Sequence, residues 1–170
     1  MRIGNGLWSR LHLRRRIILA GTLVLAASTA CAQDRSAAIA ADAIIARKTM
    51  MGALSDKMDD IETAISAGKV DLDQARAAAD TVSVYLMAFP HLFPPATNQW
   101  KPGGDRDPAT DTFASPDVWT QFADFYQQAT AAAKSAYVAS RAQSEAELKT
   151  AIEQLRLQCN ACHTAYLKAN

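Results

Sequence analysis

The chain has 170 residues, 49% of them hydrophobic and 21% charged, with a formal net charge of +1, which suits one globular domain with its own core. So little positive charge excludes a strongly basic nucleic-acid binder. Three cysteines are too few for a disulfide-built scaffold.

Residues 1–32 read as a secretory signal peptide, cleaved before the domain folds. Arg10, Arg14, Arg15 and Arg16 supply the positive region, Ile17 to Ala27 the apolar stretch, and Ala30-Cys31-Ala32 an A-x-A site before Gln33. That stretch is too short to span a bilayer, so no stable membrane insertion is expected. Ser28-Thr29-Ala30-Cys31 faintly resembles a lipoprotein box, and Arg14-Arg15-Arg16-Ile17-Ile18 a twin-arginine signal. The first normally carries an aliphatic residue where Ser28 stands; the second exports folded cargo. Cleavage after Ala32 leaves 138 residues and removes five arginines but no acid, taking the net charge to −4. Nucleic acid and anionic membrane surfaces are therefore poor partners, and the periplasm is the expected compartment.

The domain should occupy 33–170. Its first helix, about 36–67, is Ala-rich and closes at Gly68, a natural residue for the position after a helix. Ile44, Met51, Leu54, Met58, Ile61 and Ile65 follow the spacing of a buried seam, and Arg47 falls on the same stripe. A guanidinium facing a core needs an anion. Asp71 and Gln74 resemble a capping box for a second helix, about 71–90, with Leu72, Ala75, Ala79, Val82, Leu86 and Phe89 on one stripe. Pro90, Pro94 and Pro95 end it. An irregular crossover, 91–115, follows and should be the least rigid part. Ser115-Pro116-Asp117 opens a third helix, about 116–141, and Ser144 with Glu147 caps a fourth, about 145–168. The third stripe is Val118, Phe122, Phe125, Ala129, Ala132, Ala136 and Ala139. Leu148, Ile152, Leu155, Cys159, Cys162 and Tyr166 form the fourth.

On that last helix Cys159-Asn160-Ala161-Cys162-His163 reads C-x-x-C-H, the attachment signature of a c-type haem. Two thiols add to the haem vinyl groups as thioethers, and the adjoining imidazole can reach the iron. Positions 159, 162 and 163 stand at i, i+3 and i+4, so all three side chains share a helix face. A dithiol redox pair or half a zinc site is the other reading. The first wants the start of a helix in a βαβ setting; the second wants another ligand pair. With one haem c in the core, a haem propionate becomes the anion for Arg47. Four amphipathic helices without a period-2 stretch predict an all-α, antiparallel up-down four-helix bundle enclosing that covalently attached haem. The many alanines leave room for it.

With its motif near the end of the fourth helix, the chain resembles the class II c-type cytochromes, the cytochrome c′ family. Ala46-Arg47-Lys48-Thr49-Met50-Met51, Phe93-Pro94-Pro95, and Pro116-Asp117-Val118-Trp119 with Phe125 add to the likeness. The resemblance implies that the residue four after the first-helix Arg, here Met51, lies over the distal face of the iron. Where relatives carry Met the iron is usually six-coordinate and low spin; where they carry Leu it is five-coordinate and binds nitric oxide or carbon monoxide. Met51 is therefore the expected second axial ligand beside His163, with Met50 as the fallback and a core-filling Met as the plain alternative. Trp119 and Phe125 are expected to wall the pocket, and His91 to be a surface histidine. Many relatives place Arg or Lys four residues after the proximal His; here Leu167 stands there.

The resulting expectation is an electron carrier that serves redox partner proteins and is not an enzyme. A five-coordinate protein that sequesters or senses nitric oxide is the second expectation. Peroxidase-like activity is disfavoured because no distal His or Arg acid-base pair is visible near Met51. The resemblance also implies a homodimer through the first two helices, to which exposed apolar residues such as Ile45 add only a weak sign.

Overall fold

In the computed structural model, secondary structure is described for residues 8–103 and 111–168, and side chains from residue 35 onward. Residues 1–7 of the expected signal peptide, 104–110 of the crossover and the last two residues lie outside the described residues, as do the side chains at the expected cleavage site. The chain divides into two compact units, Met1–Ile39 and Ala40–Asn170. Helix α1 is assigned from Trp8 to Ser66, whereas the sequence placed its start near 36. Residues 8–35 contain no proline and only one glycine, so nothing local interrupts a helix there. Among the described residues no helix is long and apolar enough to cross a membrane.

Unit Ala40–Asn170 is the four-helix bundle. α1 closes at Gly68, whose φ of +61° is left-handed and therefore favours glycine. Lys69 N donates to Ala64 O and Gly68 N to Ile65 O, which together satisfy two terminal carbonyls and stop the helix. Asp71 then caps α2 (Leu72–Ala88), accepting from the backbone N–H groups of Asp73 and Gln74 at 3.1 Å each. Short 3-10 turns follow at Phe89–Leu92 and Pro95–Thr97.

The third helix is in two pieces, α3 (Asp117–Thr120) and α4 (Phe122–Ser140), separated at Gln121 with φ −122° and ψ 36°. Ser115 Oγ accepts from Asp117 N at 3.2 Å and starts the first piece. Two residues before the break, the Trp119 indole N–H donates to the carbonyls of Phe93 and Pro94 at 3.1 and 3.3 Å. That anchor draws α3 towards the proline segment and off the α4 axis, a tertiary demand outweighing local helix propensity. Ser144 caps α5 (Glu145–Tyr166) by accepting from Glu147 N, and the Glu147 carboxylate reaches back to Gln143 N.

Two buried clusters fill this unit. The larger joins Leu54, Met58 and Ile61 of α1 with Ala79, Val82 and Leu86 of α2, an alanine seam of α4, and Leu148, Ile152 and Leu155 of α5. Alanines on α4 let its neighbours approach closely, so the larger residues of α1 and α5 fill the centre. The smaller cluster is aromatic: Phe93, Phe125 and Tyr166 around Val118. Leu155 is fully buried in the larger one. Leu155→Ala should lower unfolding free energy by about 2–5 kcal/mol, the usual cost of a cavity at such a site, read as a shifted urea midpoint at unchanged slope.

Candidate haem site

Helix α5 carries Cys159, Cys162 and His163 in its last two turns. Both cysteines are free and half-buried. They straddle the two clusters: Cys159 packs against the larger, Cys162 against the aromatic one. One turn earlier Arg156 grips Glu62 of α1 through two hydrogen bonds of 2.7 Å and reaches Asp59 at 3.2 Å. That fork fixes how the motif-bearing turn faces α1.

The local electrostatics disfavour thiolates. Burial pushes the Cys162 thiol up to about 11, helped by Cys159 and by the Asp124 carboxylate. Burial also raises Cys159, against an opposing pull from Arg156. A reactive dithiol needs the reverse, a lowered pKa, and among the described residues no group of three or more His, Cys, Asp or Glu side chains could hold a metal ion. Neutral thiols that add covalently to vinyl groups fit this setting, so the donor set fits a haem c better than a redox disulfide or a metal. His163 is exposed at the surface; the partial cover of its ring and then Arg156 lower its pKa, which favours the neutral imidazole that binds a metal.

Arg47 is 4% exposed, as the stripe placed it. Among the described residues its hydrogen-bond partners are neutral: Thr97 Oγ1 at 3.0 Å, Thr97 O at 3.4 Å and Thr112 Oγ1. The guanidinium also lies over Phe93 at 4.6 Å and Trp119 at 5.8 Å from the ring centroids. Burial lowers its pKa to about 10. Among the described residues the guanidinium is buried among hydroxyls and ring faces, a setting that an anionic carboxylate would fit. The fold thus groups Arg47, Trp119 and Phe125, with Phe93 edge-on to both rings at 5.9 and 4.8 Å. On α1, Met50 and Met51 are both half-buried against the larger cluster. His91 is exposed and meets Tyr126 edge-on at 6.1 Å.

Several neighbours carried no sequence signal. Thr97 and Thr112 come from the crossover, where polar residues are ordinary, yet they hold Arg47. Ser115 N donates to Tyr166 O, and Lys168 N to Phe113 O, each at 2.8 Å, forming a bridge between Ala114 and Leu167. The crossover is therefore tied to α1 by side chains and to the end of α5 by backbone.

A family model described as Cytochrome C′ matches residues 42–167. Cytochrome c-556 of Agrobacterium tumefaciens strain II Chrys is 31% identical over 124 residues, covering 71% of this chain and 92% of that protein. Among solved structures, cytochrome c′ from Thermochromatium tepidum superposes with a TM-score of 0.65 at 23% identity, covering 76% of this chain and 97% of the other. The nitric oxide complex of a point mutant of cytochrome c prime from Alcaligenes xylosoxidans gives a TM-score of 0.61 at 22% identity, covering 75% of this chain and 95% of the other.

Proposed function

Because the chain belongs to the cytochrome c′ family, and is thus a monohaem c-type cytochrome with one covalently bound haem c, we propose that it is an exported electron carrier with a His/Met-ligated, low-spin iron. Cys159 and Cys162 hold the cofactor as thioethers, His163 is the proximal ligand and Met51 the distal one. When bound, the haem supplies a one-electron ferric/ferrous couple. The chain does the rest. Arg47 orients the group by pairing with a propionate, and its threonine partners hold the guanidinium in place. Phe93, Trp119 and Phe125 exclude water from one side. His163 supplies a neutral nitrogen and Met51 a soft, neutral sulfur, so neither needs to gain or lose a proton as an electron passes to or from a redox partner protein. The signal peptide 1–32 would place that exchange in the periplasm.

One observation carries the Met51 assignment. Arg47, Met51, Leu54 and Met58 share a helix face; the first and the last two are buried, whereas Met51 is left half-open between them. Incomplete coverage of a sulfur on the core face supports a contact with something other than protein. The competing reading, an open distal side that takes nitric oxide or carbon monoxide, is favoured by the nitric oxide complex of the Alcaligenes xylosoxidans protein. The absorption spectrum of the ferrous protein at neutral pH decides. Sharp low-spin bands unmoved by carbon monoxide are expected; a broad high-spin spectrum that shifts with carbon monoxide would reject Met51 as a ligand.

A further inference from the structure

Tyr166 lies one helical turn beyond Cys162 and three residues beyond His163. Its ring is buried edge-on against Phe125 at 5.2 Å. Its hydroxyl donates to Asp124 Oδ2, in the first turn of α4. The same oxygen accepts from Gln128 Nε2 at 2.8 Å. Turning that amide towards the carboxylate leaves Gln128 Oε1 buried without a partner. A buried amide oxygen left orphaned is a cost that folded proteins seldom carry, so the arrangement favours two donors on one carboxylate over full satisfaction of the amide. Cys162 packs against the cluster that contains Tyr166, so the hydroxyl bond from Tyr166 sets the Asp124 carboxylate at the edge of the cluster that Cys162 touches.

We propose that Asp124 is the charge that poises the haem's one-electron couple, and that Tyr166 and Gln128 are positioning residues that hold it beside the Cys162 attachment point and damp it. A carboxylate near the haem edge favours the ferric form, which carries one more positive charge than the ferrous. The two donors spread that negative charge, so the poise depends on how many hydrogen bonds the carboxylate accepts. The inference rests on Cys162 being a haem anchor, but not on which group faces the distal side of the iron.

The test is a redox titration of the whole haem-loaded protein, with dithionite as reductant and ferricyanide as oxidant. One electron moves per haem and no proton. Held at the wild-type midpoint, Asp124→Asn should raise the ferrous-to-ferric ratio by about threefold or more. Tyr166→Phe and Gln128→Leu should lower it, because each removes a donor from a carboxylate that remains. A merely structural clamp would send all three variants the same way. Shifts of one sign, or none for Asp124→Asn, overturn the proposal. Should Tyr166→Phe fail to fold, Gln128→Leu carries the sign test alone. Asp73→Asn is the control: Asp73 pairs with Arg76, which bonds to Ser140 O at the far end of α4, about 24 Å along the helix from Asp124, and its ratio should not move. The spectrum separates the two readings. A high-spin protein with opposite-sign shifts sinks Met51 ligation and keeps Asp124; a low-spin protein with same-sign shifts does the reverse.

Discussion

Met51→Leu should convert a low-spin spectrum into a high-spin one that responds to carbon monoxide. Leu has nearly the volume of Met but no sulfur, so the packing against the larger cluster survives while the ligand is lost. A thioether also favours the ferrous state, and its removal should lower the reduction potential along with the spectral change. Leu54 and Met58, on the same helix face, remain buried, so the bundle should keep its helical circular dichroism. Met50→Leu supplies the contrast, since position 50 points about 100° away round the helix. If Met50→Leu changes the spectrum and Met51→Leu does not, the neighbouring sulfur is the ligand.

Loss of either proposed attachment thiol should have the second large effect. In the double variant Cys159→Ala, Cys162→Ala no thioether can form, and any haem still held by His163 should be extracted fully by acidified organic solvent. The single variants should retain one thioether and give a pigment that resists extraction but absorbs at a shifted wavelength, because one vinyl group stays conjugated with the ring. Wild-type protein matured during export should release none. Free extraction from wild-type chains would refute covalent attachment at these residues. Both sulfurs are half-buried at the seam of two clusters, so the double variant without haem should also lose packing there and melt earlier, as cavity-forming changes do.

Local chemistry carried much of the fold into the sequence. Gly68, Asp71, Ser115 and Ser144 mark helix ends because each offers a conformation or an oxygen that a helix terminus needs. Arg47 was legible as an oddity, a charge on an apolar stripe, and it is buried. Its threonine partners were not legible, because they lie 50 and 65 residues away in a segment without periodicity. The break at Gln121 was hidden for a similar reason: the local sequence continues as helix, and only the distant Phe93 and Pro94 carbonyls call Trp119 aside. Asp124 and Tyr166 each read as an ordinary helix position. Their pairing across 42 residues is a product of how α4 and α5 lie together. Met50 and Met51 stay alike in packing, so helical phase, not burial, is what separates them.

The fork of Arg156 on Glu62 joins groups 94 residues apart. Closures spanning that much chain cost the most entropy and tend to form late. On the proposed export route the C-terminal helix would be the last to emerge, and its two thiols would stay reachable until that closure forms. Haem attachment would then compete with the docking of this helix. Sulfurs carried on a late-closing element would be open to attachment for longest.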